Sequence, residues 1–282
     1  MELKNFNFYY TKENCDYKSV KDFINLNTQK TTLPSDIALL VSQYKTEEEL
    51  FFSTNIIELQ DKEDLYCYYF CEFDCVEGDY NIIFDRIDVY SEIYINGRKE
   101  LTTDNAFIAF EKQVYLKKHN EIVIKILPAK LEALKKELPS NCWFMQYNFA
   151  SAYMRKPMYM HGWDIFPRNM LGGIYAPVKI EKVKQEYIKS TYFYTAEFMN
   201  DMKKAAVIFR YALNIKDAAH LEKYSIELIG KCKDSQVYLK RRLWFVEGIE
   251  RVFIDNPYLW NVMGTGEQNL YQFTTNLYYE DL

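Results

Sequence analysis

Residues 87–95 alternate in character and run directly into Asn96-Gly97. On an extended chain Ile87, Val89, Ile93 and Ile95 share one face, interrupted by Ser91, while Tyr90, Glu92 and Tyr94 take the other. A period of two marks a half-buried strand. Asn and Gly both tolerate positive φ, so a two-residue hairpin turn is expected next. Further short strands are expected over residues 66–73, 80–84, 206–213 and 270–278. Another carries Ile122, Ile124 and Ile126, after a turn placed at His119-Asn120. The 25 tyrosines and 19 phenylalanines fit this reading, because aromatic side chains pack well on pleated surfaces.

Helical signals are few. Ser35, after Pro34, is placed to cap a short helix with Ile37, Leu40 and Val41 on its inner side. A second helix is expected over residues 129–138, with Leu131, Leu134 and Leu138 as its apolar stripe and Glu132 four residues before Lys136. The strand–helix alternation of a (β/α)8 barrel is absent, and such a barrel alone takes ~250 residues. The expected fold is all-β. A chain of 282 residues exceeds the usual single domain. The boundary is placed near residues 177–181, with one large sandwich over 1–180. Residues 181–282 have the size and strand spacing of an immunoglobulin-like β-sandwich without the antibody disulfide.

Composition narrows the functional classes. The net charge is −5 and no basic block stands out, so no nucleic-acid partner is expected. Cys67, Cys71 and Cys75 share a spacing of four, but the paired Cys-x-x-Cys pattern of zinc sites is missing. With Cys15, Cys142 and Cys232 they are read as buried free thiols, and no metal site or cofactor is assigned. The first residues lack an apolar run, and no stretch approaches the ~20 apolar residues that span a bilayer. A cytoplasmic location without a membrane partner is the expectation. His119, His161 and His220 are scattered and suggest no nucleophilic triad.

The densest motif is RKPMYMHGWDIFPRNMLGGIYAPV, residues 155–178. That mixture suits a loop that holds one shape and presents polar groups. It resembles the RKxxYxxGWDWGPR…GIWxPV signature of β-mannosidase-like enzymes in glycoside hydrolase family 2. Other segments follow in the family's order. Leu33-Pro34-Ser35-Asp36-Ile37 looks like VPGDV, and residues 87–97 resemble L-D-T-x-A-x-V-Y-L-N-G. Asp104-Asn105-Ala106-Phe107 with Phe110 parallels H-x-N-x-F-x-x-F, Asn120-Glu121-Ile122 matches N-E-L, and residues 259–271 resemble L-W-W-P-N-G-x-G-x-Q-x-L-Y.

The resemblance implies a jelly-roll, galactose-binding-like sandwich followed by the immunoglobulin-like one. It also implies that both catalytic glutamates belong to a barrel outside this chain, so no catalytic residue is assigned here and the chain alone is expected to be inactive. Asn120-Glu121 precedes a strand and is read as a structural turn. Trp163 and Asp164 would lie at the edge of the glycone pocket, binding substrate, since a carboxylate accepts hydrogen bonds from adjacent sugar hydroxyls. Arg155, Lys156 and Arg168 would brace the loop, Arg168 by holding the Asp164 carboxylate. The implied partners are the C-terminal catalytic barrel of the same protein and a β-linked sugar, a mannoside first. Ile165 and Phe166 depart from the family's Trp-Gly, so the loop is free to take another path. Gly172-Gly173 is read as a turn and Trp260 as a core residue. A stand-alone carbohydrate-binding module, or an interaction protein without hydrolase activity, is the alternative.

Overall fold

The computed structural model describes residues 1–137 and 149–280; Leu138 and Cys142 lie outside the described residues. The chain divides into two compact units, Met1–Val183 and Lys184–Leu282. Among the described residues no α-helix is longer than the 6 residues of Ala129–Leu134, and none is long and apolar enough to cross a membrane.

In the first unit, six antiparallel strands lie in the order Gln29–Thr32, Asn5–Thr11, Tyr66–Asp74, His119–Ile126, Tyr90–Ile95 and Arg98–Asp104. A second sheet orders Glu2–Leu3, Val178–Lys182, Gly78–Phe84 and Phe110–Leu116. The two enclose one core: Phe8, Tyr69, Ile93 and Ile124 come from the first, and Ile82, Phe84, Leu116 and Val178 from the second. Residues 180–182 thus still belong to the first unit.

At its central strands the six-stranded sheet is buried on both faces, which accounts for the aromatic run in Tyr66–Asp74. Cys67, Tyr69 and Cys71 face the main core. Tyr66, Tyr68 and Phe70 face a second cluster closed by Phe23, whose ring stacks on Phe70 at 4.0 Å. Phe23 is delivered by the 3-10 turn Val20–Phe23, whose capping box pairs Ser19 with Asp22. Cys232 is also buried, whereas Cys15 and Cys75 are half-buried free thiols.

The Asn96-Gly97 hairpin forms as expected, with φ of 50° and 79° joining Ile95 to its partner Arg98. Other local expectations need correction. Residues 87–95 are two strands, Ile87–Asp88 and Tyr90–Ile95, and Val89 packs in a separate cluster with Tyr90 and Ala133. His119 and Asn120 lie within a strand. The Asn120 side chain instead fastens the preceding turn, accepting from Lys117 N at 3.0 Å and donating to Lys117 O at 2.6 Å. Asp36, not Ser35, caps the helix Ile37–Val41, its Oδ1 accepting from Ala38 N at 2.7 Å. In Ala129–Leu134 the buried face is Ala129 and Ala133, and Leu134 is exposed. Close packing beneath that helix favours small residues over the leucine stripe.

In the second unit, one sheet orders Tyr187–Met199, Lys204–Asn214 and Glu247–Asp255, and the other orders Ser235–Arg242, Tyr224–Cys232 and Gln272–Tyr279. Phe209, Tyr211, Ile226, Leu228 and Leu239 fill the space between them, and the Phe193 ring stacks at 4.3 Å on Phe273. Trp260 is 56% exposed and forms no part of that core.

Candidate functional site

The motif 155–168 folds as a loop closed at both ends. Arg155 offers its backbone oxygen to Ala106 N at 2.8 Å, while its side chain is exposed. Lys156 turns inward and is buried. Its ammonium pairs with the Asp88 carboxylate and donates to Leu171 O at 3.1 Å. The 3-10 turn Met158–His161 ends at Gly162, whose φ of 96° favours glycine. The chain then reverses: Trp163 N donates to Phe166 O at 2.9 Å, and Phe166 N to Trp163 O at 3.2 Å. Asp164 and Ile165 form the tip.

Arg168 closes the other end. Its Nε donates to Glu63 Oε1 at 2.5 Å, its Nη2 to Glu63 Oε2 at 3.0 Å, and its Nη1 to His161 O at 3.3 Å. Lys130 adds a second cation 3.2 Å from the buried Glu63. The loop is therefore tied to the sandwich by two ion pairs, one at each foot. Arg168 was expected to brace Asp164; it holds Glu63 instead.

Asp164 is exposed and has no hydrogen bond or ion pair among the described residues. Trp163 is 70% exposed and Ile165 90%. The structure thus keeps Trp163 and Asp164 together at the tip and separates them from Arg155, Lys156 and Arg168. Phe166, where the related pattern has glycine, does not stop the turn; its ring packs edge-on against Tyr159 at 5.0 Å.

His161 lies inside the loop, buried, with neither ring nitrogen partnered among the described residues. Burial, reinforced by the Lys156 and Arg168 charges, lowers its pKa from 6.5 to about 4, so the ring is neutral. The other histidines sit elsewhere on carboxylates, His119 with Asp74 and His220 with Asp217. Glu121 accepts from Ser19 Oγ and Val20 N, both at 2.9 Å, in keeping with its reading as structural.

Beside the loop lies a cleft of about 880 Å³. Its lining includes Asp36, Asp88, Asn169 and Tyr175, together with the aromatic residues Phe51, Phe107, Tyr159 and Phe166. A three-stranded sheet builds the acidic part. Gly173 pairs with Asp36 on one side and Asp88 on the other, so the two carboxylates lie in one cross-strand row. The glycines are not a turn. A Cβ on Gly172 would lie 1.9 Å from Asp88 O, and one on Gly173 would lie 2.3 Å from Ser35 O, so side chains there would push the strands apart. Burial raises the pKa of both Asp36 and Asp88, with Lys156 acting against it. Tyr175 donates its hydroxyl to Asp36 Oδ2 at 3.3 Å.

Sequence reasoning gave no role to Glu63, Asp36, Asp88 or His161. Asp88 carried a faint signal, as a single charge between Ile87 and Val89 in a run with few polar residues. Glu63 carried none, since its partner Arg168 is 105 residues away.

Residues 13–176 match the family model described as glycosyl hydrolase 2 galactose-binding domain-like. The chain is 24% identical over 212 residues to β-mannosidase B of Emericella nidulans, covering 71% of this chain and 24% of that protein. It is 28% identical over 204 residues to β-mannosidase B of Thermothelomyces thermophilus, covering 70% and 23%. The chain therefore spans about a quarter of the length of these curated relatives. The β-D-mannosidase structure from Dictyoglomus thermophilum superposes with a TM-score of 0.75 at 23% identity, covering 99% of this chain and 34% of that one, and so shares the fold. With more than half of its length matched, and with the sheets expected of such a domain, the chain belongs to the glycosyl hydrolase 2 galactose-binding domain-like family.

Proposed function

We propose that this chain is the N-terminal accessory part of a β-mannosidase-like glycoside hydrolase. In this reading the Trp163–Asp164 tip completes the glycone pocket of a catalytic barrel carried elsewhere in the same protein. One observation carries it: an exposed carboxylate, without a partner among the described residues, stands at the tip of a loop whose feet are ion-paired. A carboxylate held that way can accept two neighbouring hydroxyls of a sugar ring. The partial coverage of the β-mannosidase relatives supports a further, catalytic part. Lys156 and Arg168 act as braces through Asp88 and Glu63. The second unit is read as an immunoglobulin-like sandwich, the location as cytoplasmic, and nucleic acid and membrane are not among the partners.

The chemistry belongs to two carboxyl groups facing across the glycosidic bond. Neither is assigned to this chain. The test is to express this chain together with the coding region that follows it and to assay aryl β-mannosides, β-glucuronides and β-galactosides side by side. Hydrolysis of the β-mannoside, highest in kcat/KM, is expected. No hydrolysis of any of the three would contradict the proposal.

A further inference from the structure

The cleft beside the loop has its own ligand chemistry, which rests on the carbohydrate reading above and extends it to a second site. We propose that this cleft binds a neutral saccharide independently of Asp164. A ring hydroxyl would donate to the Asp36 carboxylate, and its C–H face would pack on the aromatic wall.

The cleft has an acceptor to spare. It is not Asp88, which gives one oxygen to Lys156 and keeps the other buried. Asp36 Oδ1 caps a helix, while among the described residues its Oδ2 meets only the long 3.3 Å bond from Tyr175. A ligand hydroxyl donating to that oxygen adds a charge-assisted hydrogen bond. The lining charges nearly balance: Asp88 is paired with Lys156, Asp85 with Lys179 at 2.5 Å, and the lining also carries Arg86 along with Asp36 and Glu47. Uncharged donors therefore suit the cleft better than a cation.

Its walls suit a sugar's apolar face. Phe166 lies 5.9 Å from Phe51 and 5.0 Å from Tyr159 between ring centroids, forming one cluster of inclined rings. Phe107 is exposed on the same lining. The pattern this loop resembles has glycine where Phe166 stands, so this wall is a feature of the present chain. The volume of about 880 Å³ falls in the range of small-molecule clefts.

The test uses the full chain with methyl-labelled methionine, because Met160 lines the cleft. Titration with methyl β-D-mannopyranoside and β-1,4-mannobiose is followed by NMR. A saturable shift of Met160 at millimolar ligand is expected. Phe107→Ala should weaken it at least about fivefold, and Phe107 is exposed, so the fold should tolerate the change. Asp36→Asn should do the same while keeping a residue that caps helices well. Asp164→Ala should leave the affinity within about twofold. A Met160 resonance that never moves would overturn the proposal, as would a shift indifferent to both cleft variants. A shift abolished only by Asp164→Ala would place the sugar at the loop tip and overturn it equally. Inactivity of the longer protein would leave this titration unchanged, so the two readings fail separately.

Discussion

The tip and the feet of one loop differ in almost every physical respect. Lys156 and Arg168 point inward, reach Asp88 and Glu63, and are held in place. Trp163, Asp164 and Ile165, only a few residues away, are exposed. Burying charge is costly and is tolerated when partners are fixed. Here the cost falls on residues that support the loop, and its benefit is a tip with a defined position. In the proposed function, stability and recognition fall to different residues, and mutations should separate them.

The largest effect is expected at the first foot. Lys156→Met leaves the Asp88 carboxylate buried without its counter-charge and should destabilise the first unit by about 3–5 kcal/mol in urea unfolding. Adding Asp88→Asn should recover part of that loss. If Lys156→Met changes the midpoint no more than an ordinary surface substitution, the foot is not a structural tie.

His161 sharpens the contrast through pH. The folded ring stays neutral down to pH about 4, whereas its ordinary value is 6.5. Between these values the unfolded chain binds more protons, so stability present above pH 6.5 is lost as pH falls toward 4, by up to ~3 kcal/mol. Asp36 and Asp88 act with the opposite sign, since burial favours their protonated forms in the fold. The measure is therefore the difference between wild type and His161→Met across that window. Equal slopes for the two proteins would contradict a buried neutral ring.

At the second foot, Glu63→Gln removes the acceptor of a forked arginine bond and of Lys130. A loss of about 1.5–3 kcal/mol is expected, smaller than at Lys156 because Arg168 keeps some contact with water. Gly162→Ala should cost about 1–2 kcal/mol, because φ is 96° and an added Cβ would lie 3.3 Å from the Arg168 Cβ. Thermal melts of both variants check the ranking.

Much of the fold was legible from periodicity and turn chemistry. Asn96-Gly97 formed its hairpin because both residues accept positive φ, whatever surrounds them. Of the six strands in the second unit, only Lys204–Asn214 and Gln272–Tyr279 were legible in the sequence, as runs at 206–213 and 270–278. The misreadings came where tertiary contacts decide. Gly172-Gly173 looked like a turn, yet the glycines allow close strand packing against Asp88 and Ser35. The leucine stripe at 131, 134 and 138 was a plausible helix face, but the buried residues of that helix are Ala129 and Ala133, and Leu134 is exposed. At the site, the loop was legible as a motif while its fastening was not. Lys156–Asp88 spans 68 residues and Arg168–Glu63 spans 105, and no local spacing reveals such pairs.

The division between tip and feet is tested most directly at Asp164. In the protein extended by its following coding region, Asp164→Ala should leave the unfolding free energy within about 0.5 kcal/mol of wild type. It should lower kcat/KM for an aryl β-mannoside by about 10–100-fold, the worth of one charge-assisted hydrogen bond. A variant that turns over substrate like wild type, or one that loses activity only because it unfolds, would contradict the role of the tip.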